Sequence, residues 1–273
     1  MFHRVPFFHF FCIAIMMVCS RTFAIDKSKY ISINEITPGM NAYTLTVYQG
    51  VEPSKYNLKV VSVIKNIAPN RNAILVIGTD EAFIHSGPVA GCSGSPVYID
   101  GRLAGALSFG WTFSKDPLYG VTPIEEMLQA GASEPSKAAD ASASSSLDFS
   151  KPINFQSSYD KLINNKSMQQ FTAGINQLVC PIATNLPQSS LSNLNKIFES
   201  SGFIAVSTGS SAADFSQYAD VPMKPGGIIA LPLVSGDIDL SAIGTITEVA
   251  DGKIYAFGHG LLGQGPIDVP MAT

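Results

Sequence analysis

Two Asp-Gly pairs constrain this chain more than any other feature of it. Asp100-Gly101 lies between apolar runs at 96–100 and 102–109, and Asp251-Gly252 lies between runs at 244–249 and 253–257. A two-residue hairpin turn of type I′ needs positive φ at both central residues, which Asp and Gly accept and β-branched residues refuse. Each pair therefore predicts an antiparallel hairpin. Further runs at 44–48, 58–64 and 73–79 are rich in β-branched and aromatic residues with turn formers between them, so the part before 131 reads as all-β.

One short helix closes that part. Thr122 fits an N-cap, Pro123 the first helical position and Glu125 the third, with Gly131 as the stop. Residues 25–131 thus form one expected β unit. Residues 132–150 are rich in Ser and Ala and read as a linker. Within 151–225 an apolar run at 178–183, a helical spacing of Leu191, Leu194, Ile197 and Phe198, and a second run at 203–207 predict a small α/β insert. The second hairpin belongs to a further β half, 226–273, which runs into Gly258-His259-Gly260.

The first 24 residues stand apart. Arg4, an apolar run at 7–18 and Thr22-Phe23-Ala24 give the three-part layout of a secretory signal peptide, too short for a comfortable membrane span. Export to a periplasmic or extracellular space is expected, with no stable membrane span once the leader is removed. The chain has a net charge of −4 and no basic stripe, which speaks against nucleic acid as a partner. Cys12 and Cys19 fall in the leader, leaving Cys92 and Cys180, which are expected to be free thiols. No Cys/His cluster has zinc-ligand spacing, so neither a metal nor another cofactor is expected.

The chemistry concentrates at residues 90–96, AGCSGSP. A serine hydroxyl becomes a nucleophile only when a base takes its proton and a third group orients that base. Beyond the leader the chain has two histidines, His85 and His259. His85 lies on the same local loop as Ser93, whereas His259 sits between glycines at a strand end, a better position for a general base. The amides of Gly91 and Ser93 could form an oxyanion hole, with Gly91 free to adopt the dihedrals that aim them. Ser95, held between Gly94 and Pro96, suits a structural hydroxyl. Glycine, serine and proline are also ordinary turn formers, so the stretch read alone is a plain bend before it is a site.

Three longer stretches bear on that choice: GCSGSPVYIDGRLAGALSFGWTFSKDPLYGVTPIEEML at 91–128, GTITEVADGKIYAFGHGLLGQGPIDVPMAT at 244–273, and ITPGMNAYTLTVYQG at 36–50. Together they resemble the SpoIVB-type serine peptidases. The resemblance implies Ser93 as nucleophile, His259 as general base and Asp80, after Thr79, as the counterpart of the family's aspartate. It also implies a mainly β, trypsin-like double β-barrel with the site between the barrels, and protein or peptide substrates. Cys92 stands where the family usually has methionine, and Ser93 precedes the histidine, an order that triads tolerate. The roughly three or four strands that fit after Gly226 are too few to close a barrel, so the second one is expected to be incomplete. The expectation is an exported serine endopeptidase that hydrolyses peptide bonds through an acyl-enzyme. The alternative is an inactive peptidase-like domain that binds proteins of the cell envelope. A carbohydrate-binding β domain has little support, since only Trp111 and scattered tyrosines could stack on sugars.

Overall fold

The computed structural model describes residues 25–87, 89–111, 114–132, 175–198, 202–208, 221–261 and 271. The leader, the expected linker from residue 133 on, residues 151–174 and 209–220 of the expected insert, and the end of the second β half apart from residue 271 lie outside the described residues, while Ala132 ends a helix rather than starting the linker. The chain is mainly β: a closed six-stranded antiparallel barrel plus a second sheet, consistent with a trypsin-like double barrel.

The barrel comprises β1 (Asn41–Thr46), β2 (Ser54–Ala68), β3 (Arg71–Gly78), β4 (Pro96–Ile99), β5 (Arg102–Trp111) and β6 (Leu118–Pro123). A short helix α1 (Glu81–Ser86) lies between β3 and β4. The spatial order is β4-β1-β2-β3-β6-β5, and β5 pairs back onto β4 to close the ring. Alternation drives the closure, because β1 and β3 turn every second residue inward. Leu58, Val60, Ile74, Val76, Val97 and Leu107 meet at the centre, each 2 % exposed or less. Burying each such side chain contributes roughly 1.5–3 kcal/mol. β5 is buried on nearly every residue because it is covered on both faces. Leu103 and Ala106 pack outward against Ile124, Met127 and Leu128 of helix α2 (Ile124–Ala132).

Both Asp-Gly pairs form the expected turns. Asp100 and Gly101 have φ of 49° and 74°, and Asp251 and Gly252 have 52° and 72°. The predicted capping box does not form. β6 continues through Pro123, Thr122 pairs with Ala106 in the ladder, and α2 starts at Ile124. Sheet pairing has overridden the local capping signal, leaving Thr122 buried with its hydroxyl unpartnered. Gly131 lies inside the last turn rather than beyond it. A Cβ there would come within 2.5 Å of the Tyr255 ring, so close packing explains the glycine.

The second sheet contains β8 (Cys180–Thr184), β9 (Phe203–Ser207), β10 (Ile228–Val234) and β11 (Leu240–Ala250), in the order β10-β11-β8-β9. β12 (Lys253–Ala256) pairs with β11 as the second hairpin. Helix α3 (Gln188–Phe198) connects the parallel strands β8 and β9, as the helical spacing predicted. β8 also pairs with β11, so the α/β segment and the hairpin share one sheet and one core. A short strand β7 (Ile175–Gln177) lies along β5 on the barrel.

Candidate active site

The Ser93 loop consists of two consecutive β-turns. Cys92 N–H donates to Val89 O at 3.1 Å and Ser95 N–H to Cys92 O at 3.0 Å. Gly91 and Gly94 occupy the third position of their turns with φ of +102° and +94°, values a side chain would resist. Ser95 donates its hydroxyl to Cys92 O at 2.7 Å, the structural role expected of it. Cys92 points into the barrel core, where Thr46 Oγ1 donates to its Sγ at 3.4 Å. Burial pushes the Cys92 thiol up, and Cys180 in the second core is pushed up to about 12 for the same reason. Both cysteines are free.

The second sheet clamps this loop. Thr245 N–H donates to Ser93 O at 2.8 Å and its hydroxyl to Gly91 O at 2.9 Å. Thr247 Oγ1 donates to Gly94 O at 2.7 Å. At Gly94 a Cβ would stand 2.2 Å from Thr245 O and 2.4 Å from Phe257 N, so only glycine lets the two backbones approach this closely.

His259 arrives from the end of the second hairpin. Phe257 and Gly258 both take positive φ, 65° and 72°, which turns the chain sharply after β12. Gly258 packs so closely on Ser108 and Ala106 of β5 that a Cβ would meet the Ser108 hydroxyl at 2.3 Å. The imidazole then reaches across, and its Nε2 lies 2.9 Å from Ser93 Oγ. Its Nδ1 lies 3.1 Å from Gly260 O. A carbonyl oxygen only accepts, so Nδ1 carries the proton and Nε2 is left to accept from the Ser93 hydroxyl. Desolvation holds the imidazole below its ordinary range. The Gly260 carbonyl opposes that shift, and the Arg71 charge adds to it.

The structure therefore brings Ser93 and His259 together, though they are 166 residues apart. It seats Asp80 elsewhere. Asp80 precedes α1, and its carboxylate accepts from the Asn57 backbone N–H and from Asn57 Nδ2 at 3.1 Å. Thr79 N–H donates to Asn57 O at 3.1 Å, so the pairing of β2 with β3 delivers Asn57 to that corner. Among the described residues, none brings a carboxylate to His259. His85 sits on α1 with its side chain exposed. Ser93 is fully buried, and among the described residues no acceptor takes its N–H or that of Gly91. Such a buried donor without a partner is uncommon.

Residues 17–128 match the family model described as SpoIVB peptidase S55. Over this stretch the chain is similar to the SpoIVB peptidases. It includes the Ser93 loop and the whole barrel, whereas His259 lies beyond the matched residues. No curated protein and no solved structure matches the chain. The SpoIVB-type match agrees with a serine peptidase whose substrates are proteins. Sequence reading missed Thr245, Thr247 and Ser108. Their signal was weak: small hydroxyl residues on the buried face of otherwise apolar strands.

Proposed function

We propose that the protein is an exported serine endopeptidase working through a Ser93–His259 pair. The observation that carries this reading is the 2.9 Å contact between Ser93 Oγ and a His259 Nε2 free to accept its proton. Ser93 Oγ attacks the scissile carbonyl carbon while Nε2 takes the hydroxyl proton. The negative charge developing on the carbonyl oxygen falls to the amides of Gly91 and Ser93, and such a donor is worth about 3–4 kcal/mol. His259 then returns the proton to the leaving amine, and water repeats the sequence on the acyl-enzyme. The Gly260 carbonyl orients the imidazole in the place that a carboxylate holds in a triad, and Asp80 braces the β3–α1 corner through Asn57.

A fluorophosphonate probe should label the full chain at Ser93, and both labelling and proteolysis should vanish in Ser93→Ala. Labelling that persists in Ser93→Ala overturns the assignment. A folded wild-type chain that is never labelled and cuts no protein favours the inactive, protein-binding alternative.

A further inference from the structure

Strand β7 runs along the barrel and leads directly to the Ser93 loop. It runs antiparallel to β5, with Phe109 opposite Gln177, Gly110 opposite Asn176 and Trp111 opposite Ile175. The pairing extends one residue further, where Leu178 N–H donates to Ser108 O at 2.9 Å. The next polar atom along the chain is Leu178 O, 3.5 Å from Ser93 Oγ. The backbone 175–178 is thus an added strand on the end of β5 that β4 leaves unpaired, a recognised mode of peptide binding, and its last carbonyl stops beside Ser93. After it the chain departs through Val179, which is 46 % exposed, and Pro181 passes close to Gly91.

The side chain is placed as consistently as the backbone. Leu178 is 8 % exposed and joins the barrel core. Gly110 leaves room for it, since a Cβ there would touch Leu178 Cδ2 at 3.4 Å. The pocket beneath the carbonyl is therefore apolar. The Leu178 carbonyl accepts no bond from the Gly91 or Ser93 amide, so the segment is docked without being activated.

We infer that residues 175–178 occupy the acyl side of the substrate channel, and that an external substrate takes their place as an antiparallel strand on β5 with a large aliphatic residue in the Leu178 pocket. This rests on the Ser93–His259 reading and adds the substrate's backbone register, its preferred residue before the scissile bond, and a built-in competitor. A charged residue in that position would be stripped of water with no partner.

The test uses the full chain with acetyl-Ile-Asn-Gln-Leu joined to a fluorogenic amine, alongside the same peptide ending in Asp or Lys. The Leu peptide should be hydrolysed at least ten times faster than either charged one. Asn176→Pro removes the N–H opposite Gly110 at an exposed position and should speed hydrolysis and fluorophosphonate labelling several-fold by loosening the competitor. A Ser93-dependent cut of the chain itself after Leu178 supports the same register. Faster hydrolysis of a charged peptide overturns the inference, as does an Asn176→Pro chain no faster than an uncut wild type. In either case fluorophosphonate labelling at Ser93 leaves the peptidase reading intact. If neither chain is labelled nor hydrolyses any peptide, the peptidase reading falls and takes this one with it.

Discussion

Burial holds the His259 imidazole below its ordinary range, and this fixes the direction of one measurement. The base works only when neutral, and a histidine is protonated below its pKa. With a pKa beneath the usual value of about 6.5, kcat/KM should rise with pH, reach half its maximum below about 6.5, and be level by neutrality. A midpoint above 7 counts against His259 as the titrating base. Asp80 gives a second residue-scale prediction. Its carboxylate serves Asn57, so Asp80→Ala should lower stability by about 1 kcal/mol and leave kcat within roughly fivefold of wild type. A loss of a hundredfold or more in a folded Asp80→Ala chain would make it a partner of His259 instead. Sequence made the serine and the histidine legible, since both sit among glycines whose freedom the turns use. The aspartate could not be settled that way, because a carboxylate's partner depends on which strand passes it.

Between the elements, the decisive contact is the clamp of β11 on the Ser93 loop. Thr247→Val removes the donor to the buried Gly94 carbonyl and should cost about 1–3 kcal/mol, read as a fall in urea midpoint. Gly94→Ala is harsher. It drives a methyl into backbone atoms of two other segments at positive φ, adding about 1–2 kcal/mol of local strain to about 1–3 kcal/mol of overpacking. Fluorophosphonate labelling should fall in Gly94→Ala even where circular dichroism shows a folded chain. Strands and hairpins were readable because alternation and turn chemistry are local. The start of α2 was misjudged for the opposite reason, since the ladder with β5 claimed Thr122 and Pro123 before the helix could. β7 gave no readable signal at all, because three residues carry too little pattern.

Across the whole molecule, each β unit buries one free thiol, Cys92 in the barrel core and Cys180 in the second. Bonds from Thr245 and Thr247 join the units through the Ser93 loop. Cys92 and Cys180 should therefore resist a thiol reagent in the native chain, and both should become reactive at the same urea concentration. Two separate midpoints would show that the units unfold independently. The amino-acid order by itself determined the antiparallel β class and the tight turns, and it narrowed the candidate nucleophile and base to a few serines and histidines, because these depend on local dihedral preference and side-chain chemistry. Only the tertiary structure decided that Ser93 meets His259, that Asp80 turns to Asn57 and that residues 175–178 end beside Ser93. Those contacts join segments 23 to 166 residues apart, and the order in which strands lie side by side is set by burying two cores at once.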